Sequence, residues 1–126
     1  MKRYIDVEDL DVFKRAYEVS LKVHKSTLSF PSIEQLALAQ QIRKASKSIC
    51  ANLAEGFAKQ IYSGAEFRRY LLISIGSSDE MRIWIKYCAD LGYINQGEAQ
   101  SWTQEYRDIA KMLQGLLKKS NDLSNK

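Results

Sequence analysis

A long amphipathic segment, residues 31–59, sets the scale of any fold that this sequence can adopt. Apolar side chains recur there at steps of three and four residues, which is the period of one face of an α-helix. Their positions are Leu38, Ile42, Ala45, Ile49, Leu53 and Phe57. We therefore expect one helix over this segment, and at about 1.5 Å per residue it would be roughly 40 Å long.

The sole proline marks the beginning of this helix. Pro31 disfavours helical geometry at Phe30, so a preceding helix should stop there. Ser32 followed by Gln35 has the pattern of a capping box, which predicts a helix start at Ser32. The link is short, so the two flanking helices should be antiparallel neighbours.

The first helix should begin near Leu10 or Asp11, after a polar lead-in over residues 1–9. Acidic side chains at that point would be stabilised by the positive N-terminal end of a helix dipole, which favours a helix start there. The pattern predicts one face made of Leu10, Phe13, Tyr17, Leu21, His24 and Leu28, with Ala16, Ser20 and Val23 beside it.

The third helix should open at Ser63 and Glu66, a second capping-box pattern. A heptad seam follows, at Phe67, Leu71, Ser74, Ser78, Met81, Ile85 and Cys88. Glycine in a helix interior costs about 1 kcal/mol relative to alanine, so Gly76 predicts a close approach of another backbone.

Gly92 should end the third helix in a left-handed conformation, and Asn95 should cap the fourth. The apolar face predicted for the fourth helix consists of Ala99, Trp102, Tyr106, Ile109, Leu113 and Leu116. The polar residues 120–126 predict a frayed tail.

These patterns predict an all-α protein, an antiparallel up-down-up-down four-helix bundle. One proline, six glycines and 45% hydrophobic residues suit a single domain over residues 1–126, with a core over about 9–119. We expect a cytoplasmic protein with no membrane partner, since no signal peptide or long apolar run is found.

The sequence contains no motif typical of a metal or cofactor site. Cys50 and Cys88 are far apart, which is typical of buried free thiols, and the sole histidine, His24, has no ligand partner at metal-binding spacing. We therefore expect no metal and no cofactor.

Catalysis has weak support, from a polar cluster that Asn52, Glu55, Asp79 and Glu80 could form between helices. The Glu-x-x-His pattern of di-iron bundles is absent, so we expect a protein that is not an enzyme. Asn52 and Glu55 are instead expected to bond a neighbouring helix or its serines and set the helix register.

A nucleic-acid partner is suggested by the basic residues, within a net charge of +4. Residues 40–60 carry four cations against the single Glu55, and two arginines could extend the patch. The candidate phosphate-binding residues are Arg43, Lys44, Lys47, Lys59, Arg68 and Arg69. RNA is favoured over DNA, and the alternative is a solvated or internally paired face.

A protein-interaction surface is the other interpretation, because the third helix is apolar on nearly two faces. The surplus residues are Tyr62, Tyr70, Leu72, Ile73, Ile83, Trp84 and Tyr87. Burial in an oligomer would explain them, whereas in a monomer Trp84 and Tyr87 would cap the bundle edge. We expect Asn52, Glu55, Gly56, Ser74, Gly76, Trp84 and Tyr87 to serve packing or subunit contact.

Several motifs resemble the four helix bundle protein family, also called the S23 or 23S rRNA intervening-sequence protein family. They are LDVF at residues 10–13, FP at 30–31, QIRKA at 41–45, SICANLAEG at 48–56, IGSSDE at 75–80 and LGY at 91–93. The resemblance covers roughly residues 9–117. Cys50 and Phe13 stand where the family usually has proline and tryptophan.

The resemblance implies a bacterial four-helix bundle that assembles as a ring-shaped homopentamer and has no known catalytic activity. Some members are encoded in intervening sequences of ribosomal RNA genes. Related accessory proteins of diversity-generating retroelements bind a reverse transcriptase and nucleic acid, so an accessory role to such an enzyme is the alternative function.

Overall fold

The computed structural model describes residues 6–124 and is built of α-helices, with no strand in that range. The long helices are α1 (Asp11–Thr27), α2 (Leu38–Lys59), α3 (Gly64–Asp90) and α4 (Gln96–Ser124), and two short 3-10 turns lie at Val7–Asp9 and Ser32–Glu34. The predicted all-α class is confirmed. The start and end of the sequence, residues 1–5 and 125–126, lie outside the described part, as do the predictions made for them.

The four helices form a closed square in which each one packs against two neighbours. Helices α1 and α3 both contact α2 and α4, and across the diagonals the described residues make no close backbone contacts. Ser74 meets Ile49, while Tyr70, earlier in α3, meets Gly56, later in α2. Because the contacts advance along one helix as they recede along the other, α2 and α3 are antiparallel. Short links impose the same relation on the other consecutive pairs.

The core follows the predicted seams of α2, α3 and α4. Every predicted seam residue of α3 is buried, including the small residues Ser74 and Ser78. In α2 and α4 the centre of each predicted face is buried, and Leu38, Phe57, Trp102 and Leu116 are partly buried at the edges. The three- and four-residue periodicity was therefore a sufficient guide to orientation for these helices.

For α1 the predicted buried face is wrong in its middle and at its end, although Leu10 is buried and Phe13 packs against the core. The residues that enter the core are Val12, Ala16, Val19, Val23 and Thr27. Tyr17, Leu21 and Leu28 are instead exposed by 51%, 43% and 63%. This helix has two apolar stripes. They differ by a rotation of roughly 100° about the helix axis, which is the angle between consecutive residues. The narrower side chains of the second stripe pack inward.

The predicted start of α2 at Ser32 is also wrong. Residues Ser32–Glu34 form a 3-10 turn, and Ala37, with φ −124° and ψ −107°, separates it from the α-helix that begins at Leu38. The Gln35 side chain is not part of a capping box, because its amide donates to the carbonyl oxygens of Thr27 at 2.8 Å and Phe30 at 3.1 Å. The link is thereby tied to the end of α1, and α2 is about 33 Å long at 1.5 Å per residue.

The predicted signals at the ends of α3 and α4 are confirmed. Ser63 Oγ accepts the Glu66 N–H at 3.2 Å, and Asn95 Oδ1 accepts the Glu98 N–H at 2.8 Å. Gly92 has φ +79°, and the bonds around it, from Tyr93 N–H to Cys88 O and from Gly92 N–H to Ala89 O, form a Schellman motif. Helix α4 continues to Ser124, beyond the point where a frayed tail was predicted.

The close packing expected at Gly76 occurs at another glycine of the helix interiors, Gly56. Gly76 is exposed, and a Cβ atom added there would meet nothing within 4 Å, so the predicted close approach at Gly76 is wrong. That approach occurs at Gly56, which is buried against Phe67 and Tyr70 of α3.

Candidate nucleic-acid interface

The six predicted phosphate-binding residues lie in two separate groups. Arg43, Lys44 and Lys47 belong to the middle of α2, and Lys44 and Lys47 are exposed there. The other three, Lys59, Arg68 and Arg69, lie near the α2–α3 turn. Lys47 and Lys59 are twelve positions apart on one helix, which corresponds to about 18 Å.

Arg43 is a structural residue of the link between α1 and α2. Its guanidinium donates to Thr27 Oγ1 at 2.9 Å, to Gln35 Oε1 at 3.1 Å and to Gln35 O at 2.9 Å. These bonds occupy its planar fork and leave it as a background positive charge beneath the surface.

His24 lies against Lys47, with 2.9 Å between Nδ1 and Nζ. The ammonium group donates, so Nδ1 accepts and the imidazole is neutral in this arrangement. Burial, followed by the charges of Lys47 and Arg43, lowers the pKa of His24 below 6.5. Burial and the charge of Arg43 likewise lower the pKa of Lys47.

We define His24, Lys44 and Lys47 as the α1–α2 face. Neither lysine forms an ion pair with a carboxylate among the described residues. The charged groups that shift the pKa of His24 are all positive, so the local potential favours an anion. From the sequence, His24 was expected to be a packing residue. Its place here depends on the α1–α2 contact, which local spacing does not reveal.

The second group surrounds Tyr70. Arg69 Cζ lies 4.5 Å and Lys59 Nζ 5.7 Å from the centre of the Tyr70 ring. Each cation also has a carboxylate: Glu66 at 3.0 Å from Arg69, and Glu55 at 3.9 Å from Lys59. The Arg69 guanidinium lowers the pKa of Glu66. The positive charges of Lys59 and Arg69 are therefore largely neutralised, each by a carboxylate on its own helix.

Arg68 is held at the opposite edge of α3. Its guanidinium donates to Ser120 Oγ at 3.2 Å and to Ser120 O at 3.4 Å, so it joins α3 to the last turns of α4. The three basic residues near the turn thus do not form one continuous patch with Lys44 and Lys47.

The outer surface of α3 carries exposed apolar residues, as the sequence predicted. Leu72, Ile73, Ile83 and Tyr87 are exposed, and Trp84 is partly buried. The rings of Trp84 and Tyr87 are 5.9 Å apart, and Trp84 Nε1 donates to Glu80 at 2.8 Å. A second exposed apolar stripe lies on α1, on the side that was predicted to be buried, and there Phe13 and Tyr17 stack at 6.1 Å.

Polar residues between α2 and α3 set their register, but not through the residues predicted to do so. Ser74 Oγ donates to Ile49 O at 3.0 Å, and Ser77 Oγ donates to Ser48 Oγ at 3.0 Å. The Asn52 amide donates to Ser48 on its own helix, at 2.9 Å from Oγ. Glu55 is exposed. The serines, rather than Asn52 or Glu55, connect the two helices.

Both thiols are protonated and unreactive at neutral pH. Burial raises the pKa of Cys50 to about 11, and burial together with Glu34 raises the pKa of Cys88 to about 12. Within residues 6–124, no three His, Cys, Asp or Glu side chains are grouped so as to hold a metal ion. Over the same range no helix has the length and hydropathy to cross a membrane.

Four antiparallel α-helices around one core make this a four-helix-bundle protein, and the α1–α2 face is the basic part of its outer surface. The model of the 23S rRNA-intervening sequence protein family matches residues 8–115, and the chain belongs to that family.

One solved structure with the same fold is a protein of unknown function from the S23 ribosomal protein family of Bacteroides thetaiotaomicron. It superposes with a TM-score of 0.74 and 23% identity, covering 85% of this chain and 98% of that one. No curated protein matches the sequence.

Proposed function

We propose that this protein is a non-catalytic nucleic-acid-binding protein whose α1–α2 face contacts backbone phosphates. The observation that carries the proposal is that Lys44 and Lys47 are exposed without a carboxylate partner among the described residues. Arg43 adds charge from beneath, and His24 can accept a proton when a phosphate approaches. Such contacts release counterions, so binding should be salt-dependent and largely independent of base sequence.

RNA is the proposed partner rather than DNA. The family is described by its link to an intervening sequence of 23S rRNA, which favours RNA. Two lysines on one subunit supply modest affinity, and repetition of the face around an oligomer would raise it through multivalency.

The test is the affinity for a structured RNA at about 50 and 200 mM salt, compared with duplex DNA. The variant K44Q/K47Q should bind RNA at least several-fold more weakly and with a smaller salt dependence. The matched control K111Q/K119Q removes two exposed lysines from α4, away from this face. Equal affinity of K44Q/K47Q and wild type would overturn the assignment of this face.

The pKa of His24, the sole histidine of the sequence, gives a second and direct measure of RNA binding at the α1–α2 face. Phosphates bound near Lys47 would offset the positive charges that lower the pKa of His24. RNA should therefore raise the pKa of His24 in an NMR titration, whereas the same RNA should leave it unchanged if binding occurs elsewhere.

Self-association is a second candidate property, which the exposed apolar surfaces of α1 and α3 favour. We propose that these surfaces are covered by other copies of the chain, in the homopentameric ring that the family resemblance implies. Sedimentation should give the mass of an oligomer, and Leu72→Glu on α3, at an exposed position outside the α3–α4 groove, should dissociate it.

Ile33→Glu, at a still more exposed position in the link between α1 and α2, is the control for self-association. A monomeric mass for the wild type would reject the ring. If the wild type also bound no RNA, a protein partner such as a reverse transcriptase would become the leading candidate for these surfaces.

A further inference from the structure

A polar groove lies between α3 and α4, where no sequence motif indicated a site. Its volume is about 520 Å³, and it follows both helices from the first turn of α4 for about three turns. The residues that give it chemical character are Arg82, Lys86, Arg107, Gln100, Thr103 and Gln104. Three cations, three neutral hydrogen-bonding side chains and one carboxylate, that of Asp90, therefore line one open channel.

Arg82, which lines this groove, has an unused donor. Its Nη2 donates to Asp79 at 3.0 Å, but its Nε is buried without a hydrogen-bond partner. A buried donor left unsatisfied is unfavourable, so the guanidinium would gain from turning toward an acceptor in the groove. An anion with several oxygen atoms matches that requirement.

Two of the three groove cations are paired with carboxylates on their own helix, as in the group around Tyr70, and Arg107 is not. Asp79 pairs with Arg82 within α3, and Asp90 pairs with Lys86 at 3.4 Å one turn away. Such pairs on a helix surface are weak and exchange readily for other partners. Arg107, from α4, is exposed and has no ion pair in the described part of the chain.

The groove also reaches Gln96, the first residue of α4. The N-terminal end of a helix carries partial positive charge, which adds to the field of the three cations. The side-chain amide of Gln100 and the Thr103 hydroxyl can bond the sugar and phosphate oxygens of a nucleic-acid backbone, and they add no charge of their own. The Gln104 amide already donates to Asp108 Oδ1 at 2.9 Å.

We propose that this groove is a second phosphate-binding site, which takes the backbone of a single-stranded RNA segment. The proposal rests on the nucleic-acid-binding function given above. Helices α3 and α4 lie across the bundle from the α1–α2 face, because the four helices follow one another around a square. Each subunit therefore holds two separate segments of RNA on opposite sides and can bridge them.

The experiment measures binding of a fluorescently labelled 12-nucleotide oligouridine to the full chain in which the α1–α2 face carries K44Q/K47Q. This variant should retain weaker, salt-dependent binding through the groove. Adding R82Q/R107Q should abolish that residual binding, whereas adding K111Q/K119Q should leave it unchanged. In the otherwise wild-type chain, R82Q/R107Q should lower the number of oligonucleotides bound per subunit from two to one.

The outcomes separate this site from the α1–α2 face. Complete loss of binding in K44Q/K47Q would overturn the groove while supporting the α1–α2 face. Residual binding that survives R82Q/R107Q would also overturn the groove. Absence of any binding by the wild type would overturn both. The single variant R107Q, at an exposed position, repeats the test without disturbing the Arg82–Asp79 pair.

The salt dependence gives an independent readout of the groove. For a single strand, each phosphate contact contributes about −0.7 to the slope of log affinity against log salt concentration. Replacing Lys86 or Arg107 singly, by K86Q or R107Q, should therefore lower the slope of the residual binding by about 0.7. An unchanged slope would show that these cations do not contact the backbone.

Discussion

Gly56 and Tyr70 mark the closest approach of α2 and α3. A Cβ atom added at Gly56 would lie 2.7 Å from Tyr70 Cβ and 3.2 Å from Phe67 Cδ1. The first contact is to an atom fixed directly on the backbone of α3, so it cannot be relieved by rotation of the Tyr70 side chain. Glycine at position 56 therefore permits the helix separation on which the α2–α3 interface depends.

Gly56→Ala should destabilise the protein even though alanine is the better helix former. Overpacking costs about 1–3 kcal/mol, which exceeds the roughly 1 kcal/mol that alanine gains in a helix. Gly76→Ala is the matched control, because its Cβ meets nothing within 4 Å and should stabilise the protein by up to about 1 kcal/mol. Urea unfolding monitored by circular dichroism measures both changes, and equal effects would contradict the assigned close approach.

Arg43→Lys should lower stability while leaving RNA affinity nearly unchanged. Lysine keeps the charge but cannot reproduce the bonds to Thr27 and Gln35, so we expect a loss of about 1–2 kcal/mol. Faster amide exchange over residues 28–37 would locate the loss in the link. Lys44→Gln should show the opposite pattern of normal stability and weaker RNA binding. A weaker affinity in Arg43→Lys at normal stability would instead make Arg43 a direct phosphate ligand.

Lys47→Gln should raise the pKa of His24 toward its ordinary value of 6.5. A histidine whose pKa is lowered by folding stabilises the folded state above pH 6.5, and that contribution is lost as the pH falls through 6.5, because the unfolded chain then binds the proton first. Lys47→Gln should therefore reduce the loss of stability on acidification below pH 6.5. NMR titration of His24 measures the shift directly, with Lys44→Gln as the control that should leave it unchanged.

Arg15→Gln should remove stability at neutral pH but have less effect in acid. Arg15 joins α1 to α4 through Glu105 at 2.6 Å and Asp108 at 3.1 Å. Gln104 and then Arg15 lower the pKa of Asp108 from its ordinary 3.8, so its contribution is present above that pH and is lost as the pH falls through the lowered pKa.

The unfolding free energies of wild type and Arg15→Gln should thus begin to converge below about pH 4 and come together as the pH falls through the lowered pKa of Asp108. Lys14→Gln, which removes a neighbouring positive charge on α1, is the control and should run parallel to the wild type throughout. A constant difference between Arg15→Gln and wild type at all pH values would mean that the ion pair with Asp108 contributes nothing.

The sequence by itself determined the number of helices, most of their ends and the inward faces of three of them. The Ser63 and Asn95 caps and the left-handed Gly92 act within one turn of the chain, so local patterns suffice to locate them. The α3 seam was also predictable, because only one stripe of that helix combines small and apolar residues at heptad spacing. Family membership follows from the same motifs.

Only the tertiary structure decided the rotation of α1, the start of α2 and the glycine at the close approach. Helix α1 has two apolar stripes, and the choice between them depends on neighbours such as the Glu105 carboxylate that holds Arg15. Gln35 could cap its own helix or bond the end of α1, and packing selects the second.

The candidate binding surfaces also needed the structure. The place of His24 beside Lys47, and the groove that joins Arg82 to Arg107, bring together residues far apart in sequence. Local spacing describes what a single helix can present to its surroundings. The partners it meets there are set by the simultaneous packing of all four helices, which is a property of the assembled bundle.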